Sequence, residues 1–362
     1  MEVLYDYQIF QMQNYGGISR YFCELMNNSH DSGFDYNLSL CASANEYINQ
    51  ASLASSRFYF PMKSNGKYYR YTNQLNKYCS IIKSKFSDYS VFHPTFFEDY
   101  YIGKIKKPYV ITVYDLTNER FPSYFVNNDA FINKRRLVME NASRIIAISE
   151  NTKEDIIELY GIDDSKIDVT YLAESLSGIQ SREIKMLPSR YLLFVGKREG
   201  YKNFYKFYKG IKSTLIDEQD LHLVCAGGGD FSTQEKSVFA DDKVMHKIKY
   251  VPFRDNEELK FLYENAVAFI FPSLYEGFGI PVLESFASGC LTCLSNSSSL
   301  KEIAGKGALY FEPDSSEDIK VCIEKALSLD KVNEYTKEAS QILKSFSWKE
   351  TAKNTCDVYK KC

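Results

Sequence analysis

Short β-rich apolar runs alternate with segments of helical period along most of this 362-residue chain, and the alternation runs through twice. That grammar belongs to parallel sheets covered by helices, because parallel strands need a crossover, usually helical, to join them. In the first half, strands are expected near Phe34–Leu40, Tyr89–Phe92, Tyr109–Val113, Arg144–Ile148 and Asp168–Tyr171, with helices near Ile18–Asn28, Tyr68–Lys85, Asp129–Asn141 and Glu150–Tyr160. The stretch Ala173–Arg190 loses periodicity and gathers Ser, Gly and Pro188. Strands then resume at Tyr191–Val195, Leu221–Ala226, Ile248–Val251, Val267–Phe271, Leu291–Leu294 and Ala308–Phe311. Two doubly wound α/β domains follow, 1–178 and 179–362. In such sheets ligands bind beyond the carboxyl ends of the strands, so chemistry is sought in the loops that follow them.

A formal charge of −3 gives no electrostatic basis for a nucleic-acid partner. No apolar run is long enough to span a bilayer, and the first residues, MEVLYDYQIF, lack the cations and apolar stretch of a signal peptide, so a cytoplasmic location is expected. Nine scattered cysteines are read as free thiols, and Cys290-x-x-Cys293 lacks a second pair that would make a zinc site.

The most informative segment is Phe271-Pro-Ser-Leu-Tyr-Glu-Gly-Phe-Gly-Ile-Pro-Val-Leu-Glu284. It joins a strand to a helix that Pro281 can open. Gly277 and Gly279 allow close backbone approach, the helix start suits an anionic or oxygen-rich group, and Glu276 and Glu284 flank it. A second loop, after Tyr191–Val195, sets Arg198 and Lys202 four residues apart with Gly196 and Gly200 beside them, where they could bind a diphosphate or simply be solvated.

Glu276-Gly-Phe-Gly with Pro281 and Glu284, a Glu-x7-Glu arrangement, resembles the signature of the family-four retaining glycosyltransferases of the GT-B fold. Gly16-Gly-Ile-Ser-Arg20, Phe92-His-Pro-Thr-Phe-Phe97, Thr112-Val-Tyr-Asp-Leu116, Ile148–Lys153 and Phe194–Phe204 extend the likeness in the family's order, most closely to bacterial O-antigen and capsule enzymes. The resemblance implies two Rossmann-like domains with a donor/acceptor cleft between them, and a last helix (about 347–360) that crosses back to the first domain. It implies that Glu284 holds the ribose of a nucleotide sugar and that Glu276 contacts the sugar. Arg198 and Lys202 would clamp the diphosphate, and Gly16, Gly17, Gly277, Phe278 and Gly279 would complete the donor site. The charge of the leaving diphosphate would then fall to cationic side chains. No Asp-x-Asp occurs, so no metal and no other cofactor is expected.

In the first domain, Asp115 is a catalytic candidate, and His93 and Tyr114 are acceptor-side candidates. Many relatives carry His where Tyr114 stands, which leaves acceptor activation open. Ser298 and Glu302 lie where relatives carry polar groups near the donor. From Phe58 to Ser87 there is no acid, while Lys63, Lys67, Arg70, Lys77, Lys83 and Lys85 alternate with tyrosines. That segment reads either as a solvated helix face or as a contact with the anionic inner face of the cytoplasmic membrane. The expected reaction is retaining transfer of a hexose, mannose from GDP-mannose by general likeness, to a glycan or lipid-linked glycan of the bacterial surface. A UDP-sugar donor and a non-catalytic subunit of the same fold are the alternatives.

Overall fold

The structure is a computed structural model that describes residues 1–51, 53, 59–61, 68–126 and 128–362. Phe58, Lys63 and Lys67 of the basic segment lie outside the described residues. The chain divides into two compact units, Met1–Leu172 with Ser347–Cys362, and Ala173–Phe346. The division thus falls at Leu172, ahead of the expected residue 178, and the last helix belongs to the first unit.

The first unit is built on β1 (Glu2–Tyr5), β2 (Asp35–Leu38), β3 (Val91–His93), β4 (Val110–Val113), β5 (Arg144–Ala147) and β6 (Ile167–Val169). All pair in parallel, in the orders β2-β1-β3 and β4-β5-β6, and a bridge from Phe92 to Tyr109 joins the two groups. β1 is central in the first group, with Leu4 opposite both Asn37 and Phe92. It is not expected from sequence, because four residues ending at Tyr5, with Asp6 next, leave no alternation to detect. The helices start and stop where their caps dictate. Ser149 accepts the Thr152 amide at the start of the helix Glu150–Tyr160, and Gly161 ends it in the left-handed region at φ 66°.

The second unit is one six-stranded parallel sheet: β7 (Tyr191–Val195), β8 (His222–Ala226), β9 (Ile248–Val251), β10 (Ala268–Phe271), β11 (Thr292–Ser295) and β12 (Leu309–Phe311), in the order β9-β8-β7-β10-β11-β12. The order reverses between β7 and β10, and this switch point is where a doubly wound sheet opens a crevice at its carboxyl edge. Helix Phe204–Asp217 buries Phe204, Phe207, Ile211 and Leu215 against Phe194, Leu223 and Ile323 in one apolar core. Buried thiols of Cys225, Cys293 and Cys322 belong to this core. Cys41 and Cys79 of the first unit are paired as a disulfide, against the expectation of free thiols. They meet because Asn76 accepts the Cys41 amide at 2.8 Å and so seats the helix Tyr69–Phe86 on that segment.

Candidate functional site

Two loops of the second unit leave the strands that flank the switch point. The first follows β7. Gly196 turns it at φ 123°, and Gly228 of the next loop lies so close that a Cβ there would stand 2.5 Å from the Gly196 carbonyl oxygen. A single helical turn, Gly200–Lys202, then carries Lys202, and Asn203 in the left-handed region hands the chain to helix Phe204–Asp217. The second loop, Pro272–Gly279, follows β10 and is tied to the first by the Leu274 amide, which donates to the Tyr201 carbonyl at 2.8 Å.

These loops bring Lys202 and Glu276 together: Nζ donates to Oε1 at 2.6 Å, with both side chains partly accessible. Lys202 Nζ also lies over the Phe271 ring at 5.4 Å. The backbone of Glu276 is held from both sides. Its amide donates to Ser298 Oγ at 2.9 Å, and Ser299 Oγ donates to its carbonyl at 2.8 Å. Ser298 does this from φ 49°, a conformation a β-carbon disfavours, and such strain clusters at functional sites. Gly279 is required by its own φ of 95° and by Leu300, whose Cδ2 would sit 2.8 Å from an added Cβ. Helix Ile280–Ala287 begins there, with Pro281 in its first turn. Glu284 lies one turn into that helix, not in the first turn, and is buried. Tyr263 donates to its Oε2 at 3.3 Å, and burial beside this carboxylate holds the Tyr263 phenol well above its ordinary range.

Arg198 departs from expectation. Its side chain is only 4% exposed and turns inward. Nε donates to Glu235 Oε1 at 2.6 Å, Nη2 to the Gly229 and Asp230 carbonyls at 2.9 and 3.0 Å, and Nη1 to Gly227 at 3.4 Å, while the guanidinium covers the Phe231 ring at 4.7 Å. Burial works to raise the Glu235 carboxyl, but Arg198 and the Ser232 amide outweigh it and hold the group below its usual range. Arg198 therefore clips the triple-glycine loop Gly227–Gly229, whose residues all have φ above 70°, and four of its five N–H donors serve that loop and Glu235. Lys197, beside it, is exposed. Phe278 is likewise a core residue, 3% exposed and edge-on to Phe346 at 5.9 Å, so its ring is not a ligand surface. Gly277 is buried.

In the first unit, Gly16 and exposed Gly17 open helix Gly17–Asn27. The Ser19 amide there donates to Gln13 Oε1 at 3.2 Å. Asp115 follows β4 and accepts the Thr117 amide at 3.0 Å. Tyr114 is buried with its ring edge-on to Tyr21, and burial pushes its phenol far up. His93 is a correction. It is fully buried, Nδ1 is bonded to Tyr359 Oη at 2.7 Å and Nε2 to Thr112 Oγ1 at 3.0 Å, and burial pushes the imidazole down to about 3. Both ring nitrogens are used within the unit, so His93 fastens the last helix, Trp348–Tyr359, and presents nothing to an acceptor.

Two residues with evident roles escaped the sequence reading. Asp6, straight after β1, is fully buried and accepts from the Thr95 amide and hydroxyl, both at 2.8 Å, from Gln8 Nε2 at 2.6 Å and from Tyr100 at 2.9 Å. Glu235 is the other, and it offers only the Ser232-x-x-Glu235 capping box as a signal. Among the described residues, no group of three or more His, Cys, Asp or Glu could hold a metal ion. Nor is any described helix long and apolar enough to cross a membrane.

Comparison with known proteins agrees with this architecture. Residues 15–173 match the family described as Glycosyltransferase Family 4, and residues 180–342 match Glycosyl transferases group 1. The chain is 30% identical over 204 residues to the O-antigen chain mannosyltransferase RfbU of Salmonella typhimurium, a stretch that spans 56% of each protein. It is 25% identical to O-antigen chain mannosyltransferase B of Escherichia coli over 76% of this chain and 75% of that one. Among solved structures, a glycosyltransferase from Rickettsia africae superposes with a TM-score of 0.71 at 16% identity, covering 99% and 97% of the two chains. Anabaena HepE in complex with UDP and glucose gives 0.73 at 12% identity over 98% of each. With both halves of the chain matched and each unit a Rossmann-like sheet, the chain belongs to the family-four glycosyltransferases of the GT-B fold.

Proposed function

We propose that this chain transfers a hexose from a nucleotide sugar, with retention of configuration and without a metal, during assembly of a bacterial surface polysaccharide. The observation that carries the reading is the Lys202–Glu276 pair at the switch point of the second unit, with Glu284 on the helix that the same loop opens. A diphosphate entering there competes with Glu276 for Lys202 and frees that carboxylate for sugar hydroxyls. Glu284 is assigned to the ribose, because a carboxylate accepts two hydroxyl hydrogen bonds at once. Lys202 and the exposed Lys197 supply the charge that stabilises the departing diphosphate, and Arg198 positions the Gly227–Asp230 loop. The C1–O bond to the diphosphate breaks as the acceptor oxygen bonds to the same face. The acceptor's proton passes to a diphosphate oxygen, so no strong protein base is required.

The donor is GDP-mannose and the acceptor a glycan or lipid-linked glycan, met on the cytoplasmic side of the membrane. Support comes from the likeness to O-antigen mannosyltransferases and from the absence of any Asp-x-Asp in the sequence. A thermal-shift screen of GDP- and UDP-sugars in excess EDTA tests it, since a bound donor raises the melting temperature with its occupancy. A shift with GDP-mannose that EDTA leaves intact is expected. A shift confined to UDP-sugars would replace the donor, and one abolished by EDTA would overturn metal independence.

A further inference from the structure

Helix Tyr69–Phe86 of the first unit is inside out. Its fully buried positions are polar, Asn76 and Ser80, and they are fixed by hydrogen bonds. Asn76 accepts from the Cys41 and Ala42 amides and donates to the Ala42 carbonyl and Gln11, while Ser80 pairs with Ser39 and Tyr100. Its large apolar side chains face outward. Tyr71, Leu75, Tyr78, Ile82 and Phe86 recur at intervals of three and four residues, so they line one stripe along the helix. Tyr71, Tyr78 and Phe86 are 75%, 66% and 85% exposed. An ordinary surface helix puts such residues in the core and its polar residues in water.

The stripe borders a cleft of about 290 Å³ whose lining is almost wholly apolar: Leu40, Cys41, Phe60, Leu75, Cys79 and Ile82. Lys83 stands at its edge, with Nζ donating to the Asn37 side chain and the Leu38 carbonyl at 2.8 and 2.9 Å. The helix itself carries charge of one sign, with exposed Asp88 just after it and Glu2 acting electrostatically on Lys83. Residues 68–87 carry Arg70, Lys77, Lys83 and Lys85 and no acid. Arg70 and Lys85 are exposed, and Lys77 is partly exposed with Nζ over the Tyr100 ring at 5.7 Å.

We infer that this helix is a docking surface for an anionic phospholipid bilayer: the stripe enters the interface, the cations meet the head groups, and the cleft receives one acyl chain. An apolar face bordered by cations is the arrangement of helices that lie in the membrane plane, and tyrosine rings suit the head-group depth. Four cations and no acid on the helix favour an anionic surface over an ordinary protein partner, whose interfaces mix both signs at a polar rim. The inference deepens the membrane side of the reading above and is measured without donor or acceptor, so it stands or fails apart from transfer.

The test is co-sedimentation of the full chain with vesicles of phosphatidylcholine alone and with phosphatidylglycerol added. Binding to the anionic vesicles is expected, weakening roughly five-fold for each of Arg70→Gln, Lys77→Gln and Lys85→Gln. Leu75→Ser/Tyr78→Ser/Ile82→Ser, at sites away from the buried polar face, is expected to lose binding while keeping the wild-type melting temperature. Should that triple variant fail to fold, Tyr78→Trp decides separately. Its added fluorescence is expected to be quenched by acyl-brominated anionic vesicles beyond the quenching of native Trp348. Binding that ignores lipid charge and survives the charge variants would overturn the inference. So would unquenched fluorescence, or a stripe that instead drives concentration-dependent self-association in the absence of vesicles.

Discussion

Removing the Arg198 guanidinium separates two roles for this residue. In Arg198→Met, Glu235 loses a 2.6 Å charged hydrogen bond, and the Gly229 and Asp230 carbonyls lose bonds at 2.9 and 3.0 Å. The side chains of the pair are 4% and 9% exposed, so the remaining carboxylate is nearly dry. Breaking a buried pair from one side costs about 3–5 kcal/mol. For a unit of this size that is a fall of roughly 10 °C in melting temperature. Adding Glu235→Gln neutralises the stranded charge while an amide oxygen can still accept from the Ser232 amide, so Arg198→Met/Glu235→Gln should recover part of the loss. Kinetically, a displaced Gly227–Asp230 loop should raise donor KM several-fold while kcat at saturating donor stays within about three-fold of wild type. The assay pairs differential scanning fluorimetry with initial rates over a donor series. A variant that melts like wild type, or one that keeps its KM but loses about a hundred-fold in kcat, would show that the guanidinium acts on the diphosphate and refute the positioning role.

Other substitutions probe the remaining assignments. His93 should make the fold acid-sensitive. Its pKa is held near 3 when folded against an ordinary 6.5, so the unfolded chain binds the proton first, and stability present above pH 6.5 is lost as pH falls. At pH 5 the loss is about 2 kcal/mol, and urea titrations of wild type and His93→Gln at pH 7.5 and pH 5 should differ by that amount. Ser298→Ala leaves the Glu276 amide without its acceptor and should raise donor KM roughly five-fold, with Ser298→Gly less destabilising because φ 49° suits glycine. A wild-type KM in Ser298→Ala would remove Ser298 from the site. Gly279→Ala meets both φ 95° and Leu300 and should cost about 2 kcal/mol or more, read as a lowered denaturation midpoint.

The sequence carried the tandem parallel-sheet architecture because most strands after the first are apolar runs between helix-period segments. β1 escaped because it is only four residues long and Asp6 follows it at once, and that same Asp6 proves to be a buried acceptor joining Gln8, Thr95 and Tyr100. The places of Lys202 and Glu276 in the loops after β7 and β10, and of Glu284 on the helix that follows, were legible because strand and helix boundaries fix which loop a residue occupies. The direction a side chain takes within its loop is set by distant partners and was not legible. Arg198 turns inward to Glu235, 37 residues on, and His93 is claimed by Tyr359, 266 residues on. The cationic character of residues 68–87 could be read, but the burial of Asn76 and Ser80 could not, since periodicity alone would have put the apolar stripe inside.

The central claim is that a nucleoside diphosphate binds on the two loops flanking the switch point of the second unit, and calorimetric titration of GDP in EDTA tests it most directly. Binding to the wild type is expected, weakened about ten-fold or more by Lys202→Ala and by Glu284→Ala, with His93→Gln unchanged as the control. Equal affinity in wild type, Lys202→Ala and Glu284→Ala would contradict it.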